Sequence, residues 1–136
     1  MNDREVQLME TDMKWCPIDT TFKLIGKKFT LHILRNMIIL KQTRFNQMAE
    51  SIEGINTKTL ATRLKEMERV GLISRKSYNE IPPRVEYSVT EKGKALECIL
   101  EQMAAFSMFF YPEGVFEDKI PRTFKEFFGR CTTRLK

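Results

Sequence analysis

Residues 56–70, Asn-Thr-Lys-Thr-Leu-Ala-Thr-Arg-Leu-Lys-Glu-Met-Glu-Arg-Val, constrain this chain more than any other stretch. Leu60, Leu64 and Met67 recur at helical spacing, so one stripe of a helix can be buried. At about 100° per residue, Lys58, Thr62, Lys65 and Arg69 fall on the opposite side. Asn56 can cap the first turn, and Gly71 can take the left-handed conformation that stops a helix. Before this helix, Phe45, Met48, Ala49 and Ile52 share one face of a shorter one, and Glu53-Gly54-Ile55 makes a tight turn. Helix, glycine-containing turn, helix is the helix-turn-helix arrangement, although many helical hairpins share that spacing.

The segment after Gly71 discriminates between the two. Its period changes: residues 72–78 read as a strand, and residues 84–89 alternate polar and apolar as a half-buried strand does. Residues 79–83 form the loop between them, because neither Pro82 nor Pro83 can donate to a ladder. A hairpin directly after the second helix is a wing. The expected fold class is therefore mainly α with a small β-hairpin (α+β), a winged helix-turn-helix. Its second helix is suited to a DNA major groove. Its wing, with Arg84 at the tip, is suited to the backbone or minor groove.

The flanks suggest pairing. Residues 1–13 show no period and read as an arm. Trp15-Cys16-Pro17 opens a helix, with proline at its first position, an apolar side of Ile18, Phe22 and Ile25, and Gly26 at its end. Residues 30–40 are nearly all apolar and predict a central helix. Thr90 caps a helix reaching about residue 111. Its stripe of Leu96, Ile99, Leu100, Met103, Phe106 and Phe110 is longer than one small domain easily buries. Packing against a second copy is favoured over folding back on the same domain, and paired readers match palindromic operators. Pro112 stops that helix. Residues 113–136 are too apolar for a free tail and predict a short helix after Pro121, packed on the dimer region. The expected organisation is an arm over 1–13, the winged domain over 14–90, a dimerisation helix over 91–111 and an extension over 112–136.

Charge supports the same picture. Residues 20–84 hold 13 lysines and arginines against five glutamates, a net +8, while the rest of the chain is at −3. A basic middle fits a polyanionic partner, and a plain solvated basic surface would look the same. No apolar run reaches the roughly 18 residues of a membrane span. The N-terminus does not read as a signal peptide, so a cytoplasmic protein is expected. Three cysteines without close spacing argue against a disulfide framework. The single histidine, His32, reads as a partly buried helix residue. No zinc-like spacing or Gly-rich phosphate loop is present, so no enzyme, metal or cofactor is expected.

Several stretches together resemble a known family: Cys16-Pro17-Ile18, Leu24 through Thr30, Ile33-Leu34-Arg35, Arg44 through Met48, Gly54-Ile55-Asn56, Arg63-Leu64, Gly71-Leu72-Ile73 and Pro82 through Gly93. In collinear order over residues 14–105 they resemble the HxlR-type winged helix-turn-helix transcriptional regulators. The resemblance implies a dimeric DNA-binding regulator whose first and last helices form the dimer contact. It also implies that several members respond to oxidants or electrophiles through a cysteine in the Cys-Pro position, here Cys16. Ala61 and Thr62 stand where members often have Thr or Ser and then Gln, so no operator can be carried over.

The candidate DNA contacts are Thr57, Lys58, Thr59, Thr62 and Arg63 on the helix, Arg44 before the preceding helix, and Arg84 in the wing. Lys65 and Arg69 read as phosphate contacts or solvated charges. Cys16 is the candidate redox sensor: the helix dipole and nearby Lys14 favour its thiolate, while a buried inert thiol is the bland alternative. Cys98 reads as packing. The expected partners are double-stranded DNA and a second copy of the chain, with a small-molecule effector left open. The competing reading is a winged-helix module for protein–protein contact in the transcription machinery, with little DNA affinity and no steep salt dependence.

Overall fold

The computed structural model describes residues 14–134; the expected arm over 1–13 lies outside them. Helix α1 (Pro17–Ile25) begins as its sequence demands, with Cys16 as the capping residue and Pro17 at the first helical position, and it buries none of its residues. Phe29, at φ 76°, turns the chain into α2 (Thr30–Ile38). Ile33, Leu34, Met37 and Ile38 of α2 are buried and form the centre of the molecule. The periodicity extends α2 to residue 40, but Ile39 and Leu40 are exposed and Lys41 takes a positive φ. The polar break at 41–44 redirects the chain two residues early. His32 faces outward rather than being partly buried.

Helices α3 (Phe45–Ser51) and α4 (Thr57–Arg69) close on α2 through Met48, Ile52, Leu60, Leu64 and Met67. Asn56 caps α4, its side chain accepting the Thr59 N–H at 2.8 Å. Gly71, at φ 80°, ends the helix as expected. Strands β1 (Ile73–Tyr78) and β2 (Arg84–Val89) pair antiparallel, with Ile73 opposite Val89 and Tyr78 opposite Arg84. The Tyr87 N–H donates to the Thr43 carbonyl at 2.8 Å, which ties the wing to the segment leading into α3.

The helix expected over 91–111 comes in two pieces, α5 (Glu91–Lys94) and α6 (Glu97–Phe110). The Leu96 N–H bonds three residues back, to the Gly93 carbonyl, and this tighter turn separates them. Gly93 itself answers to packing: a Cβ there would lie 2.1 Å from the Leu72 carbonyl oxygen. After Tyr111, Pro112 opens the short α7 (Pro112–Val115), and α8 (Phe124–Phe128) follows with Thr123 and Glu126 as a capping box. The extension folds back on α6 of its own chain. Phe124 is buried, Arg130 pairs with the buried Glu101 at 2.8 Å, and Gln102 donates to Thr132 at 3.0 Å. Burial alone would raise the Glu101 carboxyl, but hydrogen bonds from Thr133 and Arg130 outweigh it and hold the group below the usual carboxylate range.

One polar side chain sits inside the core. Asn36 of α2 is fully buried, and its amide donates to Gln42 Oε1 at 3.0 Å and to Ser51 Oγ at 2.8 Å. Arg35 Nε donates to its carbonyl oxygen at 3.0 Å. This network fixes the end of α2 against α3. Replacing Asn36 with alanine removes all three bonds and should cost about 1–3 kcal/mol. The measurement is urea unfolding, where the midpoint falls at unchanged slope. Ser51→Ala should cost less, because Ser51 borders solvent.

Candidate nucleic-acid interface

Burial of Leu60, Leu64 and Met67 leaves one face of α4 outward, and Thr57, Lys58, Thr62, Lys65 and Arg69 on it are exposed. Lys58 and Lys65 join no ion pair among the described residues, so both ammonium groups remain available. The Thr62 hydroxyl donates to the Lys58 carbonyl at 2.9 Å. Its proton is thereby used, and its oxygen is left to accept, as from a base amino group. Thr59 is half-buried, and its N–H is taken by the Asn56 cap.

Arg63 has a different position from the one expected of a reader. Its Nε donates to the Lys28 carbonyl at 2.8 Å, and its Nη1 lies 3.2 Å from Glu66. Lys27 reaches the same glutamate at 2.9 Å. The Lys27 hydrogen bond, with Arg63 adding to it, holds the Glu66 carboxyl below its ordinary range. Arg63 thus straps α4 to the turn before α2 and is committed to protein contacts.

The wing also departs from the sequence reading. Arg84 is not at the tip. It opens β2 opposite Tyr78, and the fully exposed Ile81 occupies the tip. The Arg84 guanidinium lies 4.0 Å from the Tyr78 ring centre and pairs with Glu80 at 3.3 Å and Glu86 at 3.7 Å. Arg44, the residue before α3, approaches the same Glu86 at 3.9 Å. The fold therefore brings two arginines, 40 positions apart, to one carboxylate. Sequence reasoning missed Glu86, although a residue two places along a strand shares the face of Arg84. It also missed Arg75 and Lys76 on β1, both exposed. Arg75, Lys65, Ala61, Glu68 and Tyr87 line a cleft of about 290 Å³ where α4 meets the wing.

Cys16, at the start of α1, and Cys131, after α8, are exposed, while Cys98 is half-buried with its thiol 3.2 Å from the Ala95 carbonyl; all three are free. Beside Cys16, Pro17, Ile18, Phe22 and Ile25 line an apolar groove of about 370 Å³ that also touches Ile99 of α6. A second groove, of about 470 Å³, continues past Ile99 to Met103 and Phe106. Among the described residues no group of His, Cys, Asp and Glu could hold a metal ion, and no helix is long and apolar enough to cross a membrane.

Comparison with known proteins agrees with this architecture. The family model described as HxlR-like helix-turn-helix matches residues 24–114. The uncharacterized HTH-type transcriptional regulator YdeP of Bacillus subtilis (strain 168) is 39% identical over 92 residues, covering 68% of this chain and 71% of YdeP. The reduced form of the transcriptional regulator YodB from B. subtilis superposes with a TM-score of 0.60 at 35% identity, over 72% of this chain and 97% of YodB. The redox regulator HypR in its oxidized form gives a TM-score of 0.62 at 34% identity, over 68% of this chain and 94% of HypR. Winged architecture, an exposed basic face on α4 and these matches lead to one conclusion: the chain belongs to the HxlR-like helix-turn-helix family of DNA-binding transcriptional regulators.

Proposed function

We propose that this chain is a dimeric, cytoplasmic regulator that reads palindromic duplex DNA through α4, with the wing alongside, and that it responds to oxidants or electrophiles through Cys16. The observation that carries the DNA reading is the outward face of α4, where Lys58 and Lys65 are free of internal partners among the described residues, beside the accepting Thr62. Thr57, Lys58, Thr59 and Thr62 make the groove contacts, with Lys65 and Arg75 on the backbone. Arg63 holds the helix in place rather than reading. Arg44 and Arg84 meet phosphates from the wing side.

Dimerisation through α1 and α6 is supported by the faces these helices leave open. Ile18 and Phe22 are 69% and 66% exposed, and Phe106 and Phe110 are 56% and 63% exposed. A contiguous apolar surface of this kind marks an interaction site. Cys16 stands at the edge of that face. YodB has been solved in a reduced and a diamide-treated form, and HypR in an oxidized and a reduced form, which supports a redox-responsive reading for this chain. Cys16 lies before the residues that the family model matches, so its role rests on position and exposure.

Lys58→Ala should weaken binding to a selected operator by roughly 1–3 kcal/mol, measured by anisotropy, if Lys58 contacts a base; equal loss on random duplex makes it a phosphate contact. Affinity should also fall steeply with salt, which the protein–protein module does not predict. Phe22→Glu should convert the dimer to a monomer in sedimentation equilibrium. A dimer unchanged by that substitution places the interface elsewhere. Cys16→Ser should abolish the change in DNA binding produced by diamide or quinone, and a response that survives the substitution removes Cys16 as the sensor.

A further inference from the structure

Arg44 and Arg84 are gathered at one carboxylate without being satisfied by it. Glu86 Oε1 lies 3.9 Å from Arg44 Nη2 and 3.7 Å from Arg84 Nη1, both longer than a charge-assisted hydrogen bond. Arg84 Nε is buried with no hydrogen-bond partner. The Tyr78 hydroxyl donates to Glu86 Oε2 at 3.3 Å, so the carboxylate is held from the strand side. Lys76, the register partner of Glu86, brings its ammonium 4.9 Å from the same Tyr78 ring. The side chains of Arg44, Arg84 and Glu86 are 44%, 33% and 30% exposed, so the cluster can be reached from outside. Two guanidiniums share one loosely bound carboxylate, with Arg84 also pairing Glu80 at 3.3 Å, and an oxyanion with more acceptor oxygens would fill this site better.

We propose that Glu86 is an internal stand-in for a DNA backbone phosphate. In the free protein it holds Arg44 and Arg84 together, and on duplex binding a phosphate takes over the guanidiniums. The inference rests on the DNA-binding reading above. The exchange opposes binding to every duplex alike, because each arginine leaves a carboxylate and that carboxylate repels the incoming phosphate. Only duplexes that also supply base contacts to α4 offset it. Glu86 therefore lowers the affinity for every duplex by the same factor, which leaves the operator-to-random ratio unchanged and suppresses the weak non-specific association.

The test uses the full chain, the Glu86→Gln variant and a labelled random-sequence duplex, with anisotropy measured at several salt concentrations. Glutamine keeps the size of the side chain and an acceptor for Tyr78. We expect Glu86→Gln to tighten random-duplex binding by roughly three- to tenfold at low salt, and to steepen the slope of log K against log salt by about one. The gain should vanish when Arg44→Ala and Arg84→Ala are both present. Unchanged or weaker binding by Glu86→Gln overturns the proposal. So does a gain that persists without the two arginines, which would be plain charge repulsion. Loss of hydrogen-exchange protection in β1 of the variant would make Glu86 a brace of the wing and also overturn it. A wild-type chain with no salt-dependent affinity for any duplex would instead remove the DNA-binding reading itself, and that result is visible before any variant is made.

Discussion

The outer face of α4 depends on what its inner stripe touches. Leu60, Leu64 and Met67 are buried against α2 and the base of the wing, and a helix held by three residues at this spacing cannot rotate without exposing one of them. Each such side chain gains about 1.5–3 kcal/mol on burial, so a rotated helix would lose several times the worth of any surface contact. That margin fixes Lys58, Thr62 and Lys65 outward. The Asn36 network and the Gly93 close approach act on the same geometry from the two sides, one setting α3 against α2, the other seating α5 under the wing.

The cations of the molecule divide into two groups with different tasks. Arg63 and Lys27 converge on Glu66, and Arg44 and Arg84 converge on Glu86. Exposed ion pairs contribute little to stability one at a time, so their value is positional. Arg63 carries more than an ion pair, because its bond to the Lys28 carbonyl ties α4 to the turn before α2. Lys58, Lys65 and Arg75 have no such duties among the described residues and keep their charge for a partner. A net charge count over the basic middle of the chain does not separate these groups; only the packing does.

The same division marks the limit of what is legible in the sequence. Helix α4, its Asn56 cap, its Gly71 stop, the 79–83 loop and the strand over 84–89 all come from short-range rules, and each stands where those rules put it. The joint between α5 and α6 is not legible, because the apolar stripe runs through it unbroken while the hydrogen bonding changes at Leu96. Nor are the fates of Arg63 and Arg84. A helical wheel places Arg63 about 140° from Lys58, at the margin of the outer face, and its long side chain reaches sideways to a carbonyl 35 residues earlier, a contact that no periodicity contains. The prolines alone put Arg84 at the wing tip, yet pairing with Tyr78 makes it the first rung of the ladder and draws its guanidinium onto the Tyr78 ring.

In the proposed dimer, the joint at 95–96 becomes the point through which the two reading helices are related. Palindromic half-sites are matched when paired recognition helices lie about one helical turn apart, near 34 Å. The α1–α6 face sets that distance, and α5 transmits it to the winged domain through Gly93 and the Thr90 hydroxyl, which bonds the Leu72 carbonyl at 3.0 Å. Cys16 lies at the rim of the same face, so a change there would act on the spacing of the readers without touching either one. In the proposed exchange, Glu86 acts at the other end of the chain of contacts, on the strength of the phosphate grip. Spacing and grip are then governed by separate groups, and each can be altered without disturbing the core that holds α4.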